Sequence, residues 1–405
     1  MDGIEIAPDP PTPAYLTIPF DDKSFLPRKC LSVAKLLQYE FPNPFWTPHN
    51  GASIQIWSDS PPHDIQAALL LSCTVPQWET VRRLLLEVQQ LTSTPQSFNR
   101  TAVSSCEVLP NYLPIWVLSF WDCLSEAYNT CQSWRRSLDW VNALCVQCPA
   151  SQSLALELDS LFQRVCWYGY LNGKRRDRHV NDIFDLLSNN ELDSGQIGDL
   201  LELIERKLAD ASDDRYLIAP TDLATLILYS HQDHKKCTYR KQPSQQLVEE
   251  ELVQRHRSAV ASIAWISVSN RGHWISYIVD PINSTIFHGD SLGLQIPPDL
   301  CNALRWWLSG LRERMGEPPN LPHLKPISVA CQGDGFSCGI LSTNSLLHHL
   351  LPYKFPLVSK DANSITTYRI EHTIEILKLS VEPVRVLPQL LCISHLGEDS
   401  GRRSK

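Results

Sequence analysis

A thiol, an imidazole, a carboxylate and an amide side chain are the parts of acyl-transfer chemistry. The run Gln332-Gly333-Asp334-Gly335-Phe336-Ser337-Cys338-Gly339-Ile340-Leu341 supplies the first and the last of them. Cys338 stands where a glycine-bearing loop turns into an apolar helix. Amide groups and the positive dipole end at a helix start lower a thiol pKa, and the thiolate is the reactive form. Ser337 is placed to N-cap that helix, and Gly333, Gly335 and Gly339 let another backbone approach closely. Gln332, six residues ahead of the cysteine, and the Cys338 N–H are the donors available to an oxyanion. One such donor is typically worth roughly 3 kcal/mol in a buried acyl-transfer site. Upstream, Arg271-Gly272-His273-Trp274 opens a strand-like run and Gly289-Asp290-Ser291-Leu292 closes the next. A carboxylate that accepts the imidazole N–H fixes its tautomer and stabilises the imidazolium formed when a thiol gives up its proton.

Positioning these groups is the work of the strands between them. Residues 259 to 291 read as three: Ala259 to Ser269, His273 to Pro281 and Thr285 to Ser291, with turn signals at Ser269-Asn270-Arg271-Gly272 and Pro281-Ile282-Asn283-Ser284. A hairpin centred near Asn283 brings His273 and Asp290 to the same end of neighbouring strands. Each residue also has a plainer role open to it: Cys338 as a buried thiol, Asp290 as a turn residue, His273 as an edge-strand histidine. His288, two residues before Asp290 on the same strand face, competes for the base role. The ordered set of four, and not any one member, points to an active site.

His273-Trp274, Asp290-Ser291-Leu292 and Gln332-x-Asp334-x-x-Ser337-Cys338-Gly339, in that order, resemble the ubiquitin-like protease family, the Ulp/SENP and adenain-type cysteine peptidases. The 17-residue step from His273 to Asp290 and the six-residue step from Gln332 to Cys338 both fit the family's pattern. Weaker similarity runs from about Leu187 to about Leu379, roughly half the chain. The resemblance implies an α+β, papain-like cysteine peptidase domain whose central mixed or antiparallel sheet is flanked by helices. It implies cleavage after the Gly-Gly-type C-terminus of a ubiquitin-like modifier, SUMO-like first among them, through a thioester. In that scheme Cys338 is the nucleophile, His273 the base, Asp290 the orienter and Gln332 the oxyanion donor. Trp274 lines a narrow channel for the glycine tail, alongside Gly333 and Gly339. No metal and no organic cofactor is called for. The partners implied are the modifier and its protein conjugates, in the nucleus or cytoplasm.

The chain departs from the pattern at the channel's other wall, where a tryptophan of the family's leading helix falls near Glu191, within Asn190-Glu191-Leu192-Asp193. Divergent members with long unrelated N-terminal regions occur in mobile elements, and this chain is similar to those. Two readings of other classes stay open. One is a catalytically inactive module that binds the modifier; the other is a mobile-element accessory protein whose N-terminal region tethers it to a transposase or to DNA.

Composition bounds the rest. A length of 405 residues suits two or three domains of about 150 each, and 43% hydrophobic with 20% charged residues describes a globular chain. A net charge of −8 argues against a dedicated nucleic-acid binder. Lys174-Arg175-Arg176-Asp177-Arg178 and the Arg402-Arg403-Ser404-Lys405 end are the dense basic runs, read as solvated. The acidic, proline-rich start carries no targeting signal, and no apolar run reaches the roughly 18 residues of a membrane span. Thirteen cysteines, an odd count, are expected reduced. Cys145-Val146-Gln147-Cys148 has zinc-knuckle spacing without a second pair, so helix-end packing is its expected role.

The chain divides into a proline- and loop-rich segment (1–75), a helical tryptophan-rich region (76–150), a peptidase domain (151–390) and a flexible tail (391–405), with a boundary at Gln147 to Ser153. Trp116, Trp121, Trp134 and Trp140 read as a core-facing stripe. Later elements are helices to about Ala209 and over Asp222 to Ser230, then a polar loop from His231 to Gln246. After the three strands come a helix at Pro298 to Met315, a strand at Pro326 to Ala330, the Cys338 helix, and a helix at Ile365 to Leu379 covering the sheet.

Overall fold

Strands apolar on both faces need cover on both faces, and the computed structural model shows a five-stranded mixed sheet between two helical layers. Structure is described for residues 18, 26–41, 57–58, 78–92, 101–103, 112–171, 178–235, 243–256, 262–269, 272–318 and 320–381. Most of the segment 1–75, most of the 174–178 run and all of the tail therefore lie outside the described residues.

The chain begins with α1 (Val33–Leu37), β1 (Trp57–Ser58), α2 (Trp78–Thr92), β2 (Thr101–Val103), β3 (Tyr112–Leu113) and α3 (Trp116–Gln147). The strands β1 to β3 pair as a small antiparallel sheet. Helix α3 serves two cores. Its first half, with Leu118, Phe120, Trp121 and Leu124, packs against Val81, Leu84 and Val88 of α2. Its second half buries Cys131, Trp134, Val141 and Leu144 in the main core. The boundary expected at Gln147 to Ser153 is thus a 3-10 turn, Pro149–Ser151, leading into α4 (Gln152–Phe162). Apolar residues on both sides of that turn bury in one core, so the division between cores falls inside α3. Trp121 and Trp134 are buried and Trp116 and Trp140 half-buried, consistent with a core stripe.

A 3-10 run, Val180–Leu187, precedes α5 (Ser194–Asp210). The remaining elements are β4 (Tyr216–Ile218), α6 (Leu223–Lys235), α7 (Pro243–His256), β5 (Ser262–Val268), β6 (Trp274–Asp280), β7 (Thr285–Gly289), α8 (Pro298–Met315), β8 (His323–Pro326), α9 (Cys338–Leu350) and α10 (Ala362–Val381). Sheet order is β4-β5-β6-β7-β8, with parallel outer pairs and antiparallel inner ones. Successive side chains alternate between faces. Ile263, Trp265, Ile275, Tyr277 and Val279 share a core with α6, α7 and α8. Ala264, Ile266, Trp274 and Ile278 turn to the other face, towards α5 and α9.

Three expectations need correction. The loop drawn over His231 to Gln246 gives way at both ends to helix, because α6 runs on to Lys235 and α7 starts at Pro243. Beside the buried Leu252, α7 buries two polar residues: Ser230 donates to Gln245 (2.6 Å), Gln245 to Glu249 (2.9 Å) and the Trp307 indole to Glu249 (2.8 Å), while Arg314 pairs with Glu249. Strand β8 lies at His323–Pro326, ahead of the expected Pro326 to Ala330, since its pairing starts opposite Thr285. Helix α10 packs chiefly on α4, α5, α9 and the 3-10 run, a layer out from the sheet it was expected to cover.

Candidate active site

The β6–β7 pairing sets Tyr277 opposite His288 and Asp280 opposite Thr285, centred where the sequence places it. His273, just before β6, and Asp290, just after β7, meet at one end of the sheet. The His273 Nε2–H donates to Asp290 Oδ1 at 2.9 Å. Both side chains are buried, at 8% and 6% exposure, so this contact is shielded from solvent. A carboxylate only accepts, which makes Nε2 the protonated nitrogen and leaves Nδ1 as the nitrogen able to take a proton. The Leu292 N–H also donates to Asp290 Oδ1 (2.7 Å), fixing the carboxylate, whose Oδ2 is buried with no hydrogen-bond partner among the described residues.

His288 does not compete for the carboxylate. Its ring packs against Tyr277, with centroids 5.4 Å apart. Burial pulls the His288 pKa below its usual value, outweighing the nearby Asp290 charge.

Cys338 opens α9 and is 3% exposed. Backbone N–H groups of Trp274 and Gly339 lie close enough to the sulfur to favour its thiolate, so the thiol sits beside the residue that follows His273. Burial nevertheless pushes the thiol above its ordinary value, and the Glu191 carboxylate adds to the rise. The lowering expected from the helix start is real but smaller. Desolvation disfavours the thiolate more strongly than these amide dipoles favour it. A thiol of this kind is protonated at neutral pH and needs a base at the moment of attack.

The turn ahead of α9 is organised by Asp334 rather than by Ser337. Ser337 has helical dihedrals and makes no side-chain cap bond. Asp334 instead accepts from the backbone N–H of Phe336 (2.9 Å) and Ser337 (2.8 Å) and from the Ser337 hydroxyl (2.6 Å). Burial pushes the Asp334 carboxyl up, but these hydrogen bonds and one from Gln332 together hold it below its usual value. Gln332 is oriented from both ends, its amide Oε1 accepting from the Ser291 hydroxyl (3.0 Å) and its Nε2 donating to the Asp334 carbonyl (2.7 Å). The same Nε2 also reaches the Asp334 carboxylate, with Oδ1 at 3.4 Å.

Trp274 is 4% exposed, and its indole N–H donates to the Leu192 carbonyl (2.7 Å). The segment 190–192 therefore lies against it, and Glu191 stands exposed beside the thiol where the second aromatic wall was sought. Gly339 serves a different purpose from the expected substrate contact: a Cβ there would come within 2.8 Å of Ile197 and 3.2 Å of Leu192. Its smallness lets α9 close on α5. At Gly333 the same position faces open space.

Among the described residues no group of three or more His, Cys, Asp or Glu comes together in a metal-holding arrangement. Cys145 donates to the Ser151 carbonyl at 3.6 Å, at the junction of α3 and α4. No described helix is long and apolar enough to cross a membrane.

Fold and site together define an α+β protein with a buried His–Asp pair at one end of a mixed sheet and a thiol beside the residue that follows the histidine. No family model matches the chain, and no curated protein does. Among solved structures it is similar to the SUMO protease Ulp1 with its catalytic cysteine oxidised to a sulfonic acid, at 15% identity and a TM-score of 0.41, covering 57% of this chain and 96% of that one. It is similar to the C-terminal Ulp1 protease domain in complex with Smt3, the yeast ortholog of SUMO, at 16% identity and a TM-score of 0.39, with the same coverage of 57% and 96%. It is also similar to the Chaetomium thermophilum Ulp1-like SUMO protease catalytic domain, at 11% identity and a TM-score of 0.39, covering 53% and 83%. The chemistry of the site is read from its own residues.

Proposed function

We propose that this chain is a cysteine peptidase that cleaves after the Gly-Gly-type C-terminus of a ubiquitin-like modifier, SUMO-like in the first instance. The observation that carries the reading is the buried His273–Asp290 contact of 2.9 Å, with the Cys338 sulfur close to the amide of the adjoining Trp274. The sequence motifs spanning 273 to 339 set the substrate class.

In the mechanism, His273 Nδ1 takes the Cys338 proton as the sulfur attacks the glycine carbonyl. Asp290 stabilises the imidazolium, and the Cys338 N–H with the Gln332 side-chain amide stabilises the oxyanion. Collapse of this intermediate expels the amine, which leaves with the proton from His273. Water, deprotonated by the same ring, then hydrolyses the thioester and regenerates the thiol. Desolvation of the site strengthens each of these interactions.

The test is incubation with a panel of ubiquitin-like proteins bearing a C-terminal electrophile, wild type beside Cys338→Ala. The expected result is a covalent adduct with a SUMO-like member that the variant does not form. Absence of any adduct, or an adduct that survives the substitution, would overturn the reading. Adduct formation without turnover of conjugates would favour the inactive modifier-binding module, for which the raised thiol pKa is the supporting feature.

A further inference from the structure

Beneath the site lies a cation that the mechanism above does not use. Arg369, on α10, is 1% exposed. Its Nη2 donates to the carbonyls of Asn190 (2.6 Å) and Asp185 (3.2 Å), while Nε and Nη1 are buried with no hydrogen-bond partner among the described residues. Burial pulls the guanidinium down to about 10, so it is charged at neutral pH, and the groups that oppose this pull are Asp334, Asp185 and Cys338. A buried charge without a close counterion is costly, and one lying close to a nucleophile has a reason to be kept.

The two carbonyls matter as much as the charge. Asn190 precedes Glu191, whose carboxylate opposes ionisation of Cys338. Leu192 follows, accepting the Trp274 indole N–H and packing over Gly339. Nη2 binds both carbonyls at once and so ties this segment to α10.

We propose that Arg369 is a positioning residue of the Cys338 site: its charge supports the thiolate from the protein interior, and its grip on Asp185 and Asn190 holds Glu191 at the mouth as the opposing charge. The charged and titratable groups around the thiol are then Glu191 from the segment ahead of α5, Arg369 from α10, Asp334 from the turn ahead of α9, and His273 with Asp290 from the ends of β6 and β7. Against the burial that dominates the thiol, the interior cation and the exterior anion act in opposite directions. The proposal deepens the peptidase reading but concerns the thiol itself, so it can be tested without any peptidase substrate.

The experiment follows iodoacetamide alkylation of Cys338 against pH in the full chain, reading the peptide that contains Cys338 by mass spectrometry. Arg369→Gln is expected to move the profile to higher pH and to slow alkylation at neutral pH by about tenfold or more, the effect of one pKa unit. Arg369→Lys, which keeps the charge, is expected to hold the profile near wild type. Glu191→Gln is expected to move it to lower pH, and combined with Arg369→Gln to return it towards wild type. The proposal fails if Arg369→Gln changes the melting temperature and leaves the profile in place, or if Arg369→Lys shifts it as far as Arg369→Gln. Should Arg369→Gln not fold, an Arg369→Lys profile displaced upward, or a Glu191→Gln profile that does not move, overturns it equally.

Discussion

One oxygen, Asp290 Oδ1, receives both the His273 ring N–H and the Leu292 amide, and that double contact sets what each substitution should do. His273→Ala removes the base assigned to the thiol, so kcat/KM on a fluorogenic C-terminal ubiquitin-like substrate should fall by about 10²–10⁴ with the far-ultraviolet spectrum unchanged. Asp290→Asn keeps a polar group in place but withdraws the charge that stabilises the imidazolium, so it should impair turnover less completely. Normal kinetics in both variants would remove the roles assigned to them. The His273–Asp290 contact and the place of Cys338 at a helix start are legible in the sequence because residue types and separations are themselves the signal. The roles of Asp334 and Arg369 are not, for opposite reasons. Asp334 acts locally but through an Asx-type turn that any loop aspartate can make. Arg369 acts through carbonyls 179 and 184 residues away along the chain, which no local pattern encodes.

Elements converge on the site through two glycines, and the space around each predicts different damage. At Gly289, the last residue of β7, a Cβ would lie 2.5 Å from Ser276 Oγ, 2.7 Å from Ile327 and 2.9 Å from Ser345 Oγ, so β6, β7 and α9 would all have to give way. At Gly339 the nearest atom, at 2.8 Å, is the mobile end of Ile197. Overpacking of a filled core typically costs about 1–3 kcal/mol. Gly289→Ala should therefore lower the denaturation midpoint more than Gly339→Ala, whereas Gly339→Ala, one residue from the sulfur, should lower kcat at a smaller cost in stability. Urea titration beside steady-state kinetics separates the two, and equal stability losses would contradict the packing described. The hairpin, the three central strands and α8 are legible because apolar periodicity marks them, whereas the two outer strands, Tyr216–Ile218 and His323–Pro326, are too short to carry such a pattern. Helix α7 is not legible, because two of the residues it buries, Gln245 and Glu249, are polar and satisfied by Ser230, Trp307 and Arg314, partners supplied by α6 and α8. Pattern reading assumes an apolar inward face, and this one carries a hydrogen-bonded network.

At the scale of the whole molecule, α3 joins a small N-terminal core to the core that carries the site, and α10 closes the latter from outside. Trp134 on α3 is fully buried against Phe162 of α4 and Phe184 of the 3-10 run, with centroids 4.9 and 6.2 Å away. Cutting the chain at residue 151, where sequence punctuation suggests a boundary, would strip that contact. The shortened chain should be aggregation-prone or melt well below the full one, since losing a buried tryptophan alone typically costs about 3–5 kcal/mol. The outer layer contributes a pH limit of its own. His372 on α10 is buried and donates Nδ1–H to the Tyr368 carbonyl (2.9 Å), and burial pulls its pKa from 6.5 to about 4. As pH falls, the unfolded chain takes up this proton first. The stability gained from a neutral His372 is therefore complete above about 6.5 and is lost progressively down to about 4, a loss of a few kcal/mol by linkage. Equilibrium unfolding across that window should show a decline that His372→Gln flattens, while the alkylation profile of Cys338 stays as it was. A decline of unchanged slope in the variant would move the acid sensitivity to other groups and leave α10 as packing alone.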